Sequence, residues 1–193
     1  MSLFAVADIE RACVSPRSAA ASTFLELSVA ELVSKSTLVV VATPRESSSV
    51  WEDSEGGRGR RIVTYTRLRV DRVIDGVPQK DAWVRTLGGQ VGDIGQHVEG
   101  EVSLAPEAPS LLFLRARNDG THAVVGMSQG HFSIEAKEPG GPYRVLAPRA
   151  VGRLLEKQRP DGVDRLPARV ALPGRTLDDV AQLVAAVRRS HAP

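Results

Sequence analysis

The sequence has few of the residues on which covalent or metal-bound scaffolds depend. It contains one cysteine, Cys13, in 193 residues, and a single thiol can form neither an internal disulfide nor a cysteine-based zinc site. Its four histidines show no His-x-x-x-His or similar ligand spacing; they are His97, His122, His131 and His191. We therefore expect a protein with no metal and no other cofactor.

Long apolar runs and a strong charge of one sign are also missing. No stretch approaches the roughly 18 apolar residues of a membrane-spanning helix, so no span is expected. The 25 basic and 23 acidic side chains leave a formal charge of +2, which is weak for a protein that binds nucleic acid. Arginine makes up 21 of the basic residues, a bias that codon usage in a GC-rich genome produces on its own.

Aromatic residues are scarce as well, with four Phe, two Trp and two Tyr. Apolar residues nevertheless make up 42% of the chain. A domain of this size buries roughly 70% of the surface that its unfolded chain exposes. The composition therefore predicts one folded domain rather than a disordered chain.

Residues 1–22 have some features of a secretion leader. They end in Ser-Ala-Ala-Ala-Ser, in which Ala19 and Ala21 have the Ala-x-Ala spacing of a cleavage site. A signal peptide also needs an apolar core of about 7–15 residues, and the apolar stretch 3–7 is shorter and is followed by charged residues. We interpret the segment as a replaced, truncated or mis-started leader and expect the mature domain to begin near Thr23. N-terminal sequencing of the native protein tests this.

A capping box predicts a short helix at the start of the domain. Ser28 and Glu31 have the spacing at which a hydroxyl and a carboxylate satisfy each other's backbone N–H groups. The continuous apolar run 38–42 that follows is β-branched in its middle and predicts a buried strand. Pro44 is expected to stop this strand, which then resumes after a kink towards Trp51.

Residues 62–74 give the clearest strand pattern in the chain. Alternation predicts two faces, one with Ile62, Thr64, Thr66, Leu68 and Val70 and the other with Val63, Tyr65, Arg67, Arg69 and Asp71. A slip of phase near residues 72–74 predicts a bulge. Further strands are predicted at residues 82–87, 111–114, 123–125, 131–134 and 143–146.

The last part of the chain, residues 147–193, is predicted to be an irregular linker followed by an amphipathic helix. A short helix is expected at residues 151–157. The final helix begins at Thr176 and carries apolar residues at helical spacing, namely Leu177, Val180, Ala181, Val184 and Val187. We expect it to pack on the strands as a lid. The alternative is a docking or dimerisation helix, and deletion of residues 174–193 separates the two.

Five to seven closely spaced strands predict a small closed or partly open barrel. Several segments also follow one another in an order that resembles a widespread, largely uncharacterised group of exported bacterial proteins with an OB-like barrel. The segments are Trp51-Glu52, Ile62-Val63-Thr64-Tyr65, Asp75-Gly76, Leu87-Gly88-Gly89, Leu112-Phe113-Leu114 and Val125-Gly126-Met127-Ser128-Gln129-Gly130-His131-Phe132. That domain is similar in fold to netrin-type modules and tissue inhibitors of metalloproteinases.

The resemblance covers roughly residues 24–146. It implies a mainly β fold, an OB-like antiparallel β-barrel over residues 23–146, with a short helix before it and the amphipathic helix after it. The metalloproteinase inhibitors chelate the catalytic zinc through a disulfide-locked N-terminal cysteine. No cysteine lies near Thr23, so their inhibitory mechanism is not carried over.

The glycine-spaced segment 88–100 is one candidate binding element. Its Gly-x-x-Gly-x-x-Gly run is not a dinucleotide fingerprint, because no helix follows it, and it lacks the Lys-Ser or Lys-Thr of a P-loop. The glycines instead permit close passage of the chain over a barrel mouth. If the segment binds a ligand or partner, Val91, Asp93 and Gln96 are the candidate contacts.

The strand face of Tyr65, Arg67 and Arg69 is the second candidate, with Trp51 or Trp83 as its neighbour. OB-like barrels bind single-stranded nucleic acid through aromatic residues in a basic groove. The near-neutral charge and the few aromatic residues make this interpretation the weaker one. Steep loss of oligonucleotide binding with added salt would support it.

No catalytic motif is visible. The chain has no Gly-x-Ser-x-Gly turn, and the serine run 47–49 has no identifiable base. We therefore expect a non-enzymatic binding protein outside the cytoplasm, periplasmic or secreted. It would contact a protease or cell-envelope protein through the loops 52–61 and 88–100. The alternatives are a single-stranded nucleic-acid-binding module and an enzyme with a site assembled from scattered residues. A concave polar pocket with two or more His, Asp or Glu residues would favour the enzyme.

Overall fold

The computed structural model of the chain describes residues 24–54, 57, 59–136, 138, 140–148, 154–155 and 166–191. In chain order the strands are β1 Phe24–Leu25, β2 Leu38–Asp53, β3 Arg60–Asp75, β4 Asp81–Leu87, β5 Gly89–Val91, β6 Ile94–Gln96, β7 Ser110–Ala116, β8 His122–Val124, β9 His131–Ala136, β10 Tyr143–Val145 and β11 Leu154–Leu155. The helices are α1 Val29–Lys35, the 3₁₀ helix Met127–Gly130, α2 Ala168–Ala171 and α3 Leu177–Ser190.

Seven strands form one large sheet that closes partly into a ring. Their order is β10-β9-β7-β2-β3-β4-β8, and β7 also pairs with β8. The strands β7, β2, β3, β4 and β8 therefore follow one another around a circle. The closing contact between β4 and β8 is parallel and rests on the single pair Val84 and His122, so the closure is partial. The prediction of a mainly β protein is confirmed.

Strands β2 and β3 form a long hairpin that extends beyond the rest of the sheet. They pair from Val39 and Asp75 to Asp53 and Arg60, whereas β2 pairs with β7 only over residues 38–42. A register shift leaves Ile74 without a partner in β2, so the predicted bulge near residues 72–74 is confirmed.

The prediction that Pro44 ends the strand is wrong. Strand β2 runs through Pro44, which pairs with Leu68 of β3. Pairing of β2 with β7 has already ended at Ala42, so no second strand requires the missing N–H of the proline. A register shift directly afterwards leaves Arg45 unpaired, which gives the predicted kink as a bulge rather than a break.

Apolar side chains pack in two layers because the central strands are buried on both faces. One layer fills the ring with Leu38, Val40, Ala42, Leu68, Ala82, Val84, Val102, Leu112, Leu114 and Val124. Val70 packs at its margin. The second layer lies between the sheet and the helices and includes Val39, Val41, Leu111, Phe113, Phe132 and Val145. Alternate residues of each continuous apolar run thus enter different layers.

The two terminal helices cover the second layer. Helix α1 begins with the predicted capping box, in which the Glu31 N–H donates to Ser28 Oγ at 3.1 Å and the Ser28 N–H donates to Glu31 Oε2 at 2.8 Å. Four of the predicted apolar residues of α3 are buried in this layer, as the lid interpretation predicts; they are Leu177, Val180, Val184 and Val187. Arg188 near its end donates to Asp75 Oδ2 at 2.9 and 2.7 Å and to the Ser36 carbonyl at 2.8 Å.

Some sequence predictions fall outside the described residues. These are the leader-like segment 1–22 and most of the predicted helix at residues 151–157. Within that helix, Leu154–Leu155 is instead strand β11, which pairs in parallel with β1. The predicted loop 52–61 is shorter than expected, since β2 continues to Asp53 and β3 begins at Arg60.

Candidate functional site

Strand β3 presents two different polar surfaces on its two sides. Odd-numbered residues from Tyr65 to Arg69 point away from the ring, and even-numbered residues such as Thr64 and Thr66 share the face of Leu68, which lies inside it. We call the first surface the outer face. It comprises Glu46, Ser48, Tyr65, Arg67, Arg69, Asp81, Trp83 and Arg85, as the pairing registers show.

The outer face brings together three of the predicted site residues. Arg67 lies opposite Trp83, and Tyr65 lies opposite Arg85. Trp83 is 43% exposed and is therefore the aromatic neighbour of this face. Trp51 is not, because it pairs with Ile62 on the other side of the hairpin. There the Arg60 guanidinium carbon lies 5.6 Å from the centre of its ring.

A buried ion pair supports the outer face. The Arg85 side chain is 5% exposed, and its Nε donates to Glu52 Oε2 at 3.2 Å while its terminal nitrogen contacts the same oxygen. The Tyr65 hydroxyl donates to Glu52 Oε1 at 2.5 Å. The hydrogen bonds from Arg85 and then from Tyr65 lower the pKa of Glu52 against the opposing effect of burial. Donation to Glu52 raises the pKa of Tyr65, and burial raises it further. The carboxylate is therefore ionised and the phenol neutral at neutral pH.

The exposed arginines of the outer face are paired with acids. Arg67 contacts Asp81 at 3.2 Å and Glu46 at 3.5 Å, and Arg69 contacts Asp71 at 2.7 Å. Positive charge that already faces a carboxylate contributes little to phosphate binding, which depends on excess positive charge. The face therefore suits a surface of mixed charge better than a nucleic-acid backbone.

Residues 89–96 of the glycine-spaced segment 88–100 form a hairpin rather than an irregular loop. Strands β5 and β6 pair from Gly89 and Gln96 to Val91 and Ile94, with Gly92 at φ +58° in the turn. Asp93 is exposed beside it. Glycine is needed at the base of the β5–β6 hairpin, because a Cβ on Gly89 would overlap the hydroxyls of Ser49 on β2 and Thr64 on β3.

Gln96 anchors this hairpin to the sheet. Its Oε1 accepts a hydrogen bond from the Ile62 N–H at 2.6 Å, so this atom is committed to the fold. Trp51 lies on the same side of β2 as Ser49, against which the hairpin packs. The predicted residues thus divide into two groups, with Tyr65, Arg67 and Arg69 outside and Trp51 with the hairpin residues on the opposite side.

A polar cavity of about 220 Å³ lies beneath the hairpin, on the inner side of the β2–β3–β4 extension. Its polar lining comprises Ser47, Thr64, Thr66, Thr86, Gln96, His97, Glu101 and Ser103. Both Glu101 oxygens accept backbone hydrogen bonds at 3.0 Å, Oε2 from Leu87 and Oε1 from Val102. Sequence reasoning missed this cavity, because its hydroxyls meet only when the register of three strands is known.

A second histidine, His131, lies next to a serine without forming a catalytic pair. His131 Nε2 is 3.0 Å from Ser110 Oγ, and burial lowers the pKa of this imidazole to about 4. Ser110 is 4% exposed, so a substrate cannot reach its hydroxyl. A general base works best when its pKa lies near the operating pH, so an imidazole with a pKa of about 4 is poorly matched to catalysis at neutral pH. The pair therefore has a structural role.

His131 gives the fold a defined sensitivity to acid. Because the unfolded imidazole takes up a proton near pH 6.5 and the folded one only near pH 4, stability is lost as the pH falls through that window. We expect a loss of about 1.4 kcal/mol per pH unit from this group, measured by urea unfolding. In His131→Gln this part of the pH dependence should be absent. An unchanged slope in that variant would contradict the assignment.

Two further kinds of feature, a metal-binding cluster and a membrane-spanning helix, are absent from the residues that the structure describes. In that part of the chain, no three His, Cys, Asp or Glu residues are grouped so that they could hold a metal ion. None of the helices there has both the length and the apolar character needed to cross a membrane.

Comparison of the sequence with protein-family models finds no match, and comparison with curated proteins finds none either.

Proposed function

We propose that this chain is a non-enzymatic binding protein that contacts another protein through its outer face. The observation that carries the proposal is Trp83, a large aromatic side chain that is 43% exposed and lies opposite Arg67. Trp, Tyr and Arg are the residues that most often dominate the energy of protein interfaces. Here all three types lie together on one rigid sheet.

The proposal includes an OB-type barrel. The ring order β7-β2-β3-β4-β8, closed by one parallel contact, supports a five-stranded, partly open barrel of this type. The outer face lies on the second and third strands of the ring in chain order, β3 and β4. This is the face through which OB barrels commonly bind their ligands.

Preorganisation of the face supports a protein partner. Tyr65 is held by Glu52, which is itself held by Arg85, so little side-chain freedom is lost when a partner binds. The mixed charge around Trp83 favours a partner with a complementary mixture of charges over a polyanion. Oligonucleotide binding that weakens steeply with added salt would support the nucleic-acid alternative instead.

The location and the partner class are part of the same proposal. The leader-like composition of residues 1–22 and the resemblance to exported proteins favour a periplasmic or secreted protein. A protease or another cell-envelope protein is the partner class that this location supplies. Fractionation of native cells tests the location, and recovery in the cytoplasm with Met1 intact would contradict it.

Matched tryptophan variants test the contact surface. After a partner has been identified from the native envelope fraction, its affinity is measured by calorimetry for the wild type, Trp83→Ala and Trp51→Ala. Trp83→Ala should weaken binding by about thirtyfold, as expected for a central interface aromatic. Trp51→Ala changes the opposite side of the hairpin and should have little effect. Equal affinities for wild type and Trp83→Ala would refute the outer face as the contact.

An enzyme is the second candidate, because the cavity contains both His97 and Glu101. A concave polar pocket with two or more His, Asp or Glu residues is the feature that favours an enzyme over a binding protein, and this cavity has it. However, both Glu101 oxygens are engaged by backbone N–H groups, which favours a structural carboxylate. Turnover of an ester or glycoside substrate that disappears in His97→Ala would favour the enzyme.

A further inference from the structure

The cavity beneath the β5–β6 hairpin has a buried floor and an open rim. Thr66 and Thr86 form the floor and are 4% and 7% exposed. Ser47, His97 and Ser103 line the cavity and are exposed residues. A molecule can therefore enter from solvent and reach the hydroxyls of the floor.

The floor contains a hydroxyl that the fold does not use. Thr64 Oγ1 donates to the Gly88 carbonyl at 2.7 Å, and Thr86 Oγ1 donates to the Thr64 carbonyl at 3.3 Å. The Thr66 hydroxyl makes no hydrogen bond to any residue that the structure describes. This hydroxyl is not one of the fully buried polar atoms that lack a partner, so it opens onto the cavity, where it can donate to and accept from a bound molecule.

The charge of the lining selects against ions. Among the residues that the structure describes, no lysine or arginine lines the cavity, and Glu101 supplies the only carboxylate there. An anion would meet that carboxylate without a compensating cation. A cation would meet a carboxylate whose two oxygens already accept backbone hydrogen bonds. Hydroxyls, which both donate and accept, instead match a neutral ligand with hydroxyls of its own.

The volume limits the size of this ligand. The cavity volume is about 220 Å³, many times the roughly 10–15 Å³ that one water molecule needs on the same measure. That space accommodates one small ring with its substituents, and a longer molecule would extend beyond the open rim into solvent. We propose that the cavity binds one neutral polyhydroxyl molecule of monosaccharide size, with the Thr66 hydroxyl as its buried contact and Ser47 and Ser103 at its entrance.

This site is independent of the proposed protein contact. Thr64 and Thr66 face the cavity, while Tyr65 and Arg67 lie on the outer face of the same strand. A variant of the floor therefore leaves the outer face unchanged. Failure of one proposal does not imply failure of the other.

Titration of the ¹⁵N-labelled protein tests the site, with D-glucose, D-galactose and myo-inositol as probes. At least one probe should cause saturable shifts in the amide signals of Leu87 and Val102, which donate to Glu101. Thr66→Val keeps the shape and removes the hydroxyl, and it should weaken binding by about tenfold. Thr43→Val is the matched control, because its buried hydroxyl bonds Asp71 on the outer side at 2.5 Å. Its affinity should equal that of the wild type.

A second variant keeps the test decisive if Thr66→Val does not fold. Ser47→Leu places a larger apolar side chain at the exposed rim and should abolish the shifts while the remaining spectrum is retained. Absence of saturable shifts with all three polyols would overturn the proposal and leave a water-filled cavity. Wild-type affinity in Thr66→Val, or tighter binding of the diamine putrescine than of any polyol, would overturn it as well.

Discussion

Replacing Glu52 by leucine is expected to lower the free energy of unfolding by about 3 kcal/mol, because Arg85 then remains buried and charged without its partner. The Arg85 side chain is 5% exposed and that of Glu52 is 27% exposed. Water therefore reaches the pair only from the carboxylate side, which places the expected loss at the lower end of the range for breaking a buried ion pair. Urea unfolding at neutral pH, where the pair is ionised, measures the loss.

Two further variants distinguish a broken ion pair from a general loss of packing. Glu52→Leu combined with Arg85→Met removes both charges and should recover most of the stability, since apolar residues of similar volume replace buried pairs at little cost. Glu46→Leu removes a carboxylate that is 69% exposed and lies 3.5 Å from Arg67, and it should cost less than about 1 kcal/mol. A double variant no more stable than Glu52→Leu would contradict this account.

Replacing Val184 by aspartate is expected to unfold much of the protein. Val184 is 1% exposed in the apolar layer between α3 and the sheet, where an unpaired carboxylate is strongly unfavourable. The expected loss of about 4 kcal/mol or more is a large share of the 5–15 kcal/mol that stabilises a typical domain. Thermal unfolding followed by circular dichroism provides the measurement.

The neighbouring position on α3 supplies the control for this variant. Ala185 is exposed, so Ala185→Asp introduces the same charge into the same helix without burying it. It should change stability by less than about 0.5 kcal/mol. If Val184→Asp instead folds normally and only loses association with a partner, α3 is a docking helix and not a lid.

The elements that the sequence predicts well are those set by local spacing. The capping box at Ser28, the alternation from Ile62 to Val70 and the helical spacing from Leu177 to Val187 each depend on residues within a few positions of one another. Which of their side chains are exposed and which are buried does not depend on the order of the strands in the sheet. For that reason helices α1 and α3, the main strands and the shared interior of Leu68 and Leu112 could be predicted without knowledge of the fold.

The features that sequence reasoning missed depend on pairing between distant segments. Glu52, Tyr65 and Arg85 come together only because β2, β3 and β4 adopt one particular register. The same register also decides which tryptophan lies beside Arg67, because it places Trp83 opposite Arg67 and Trp51 opposite Ile62. The hairpin 89–96 was missed because its glycines are equally typical of an irregular loop, and its anchor, Gln96 to Ile62, spans 34 positions.

The division of β3 between two surfaces restricts how this sequence can evolve. One residue inserted or deleted between Thr64 and Arg67 would rotate every later side chain of the strand to the opposite side. Guanidinium groups would then enter the ring, and threonines would take their place in solvent. We expect descendants of this sequence to vary here only by substitution, with changes of chain length confined to the turns at either end of the strand.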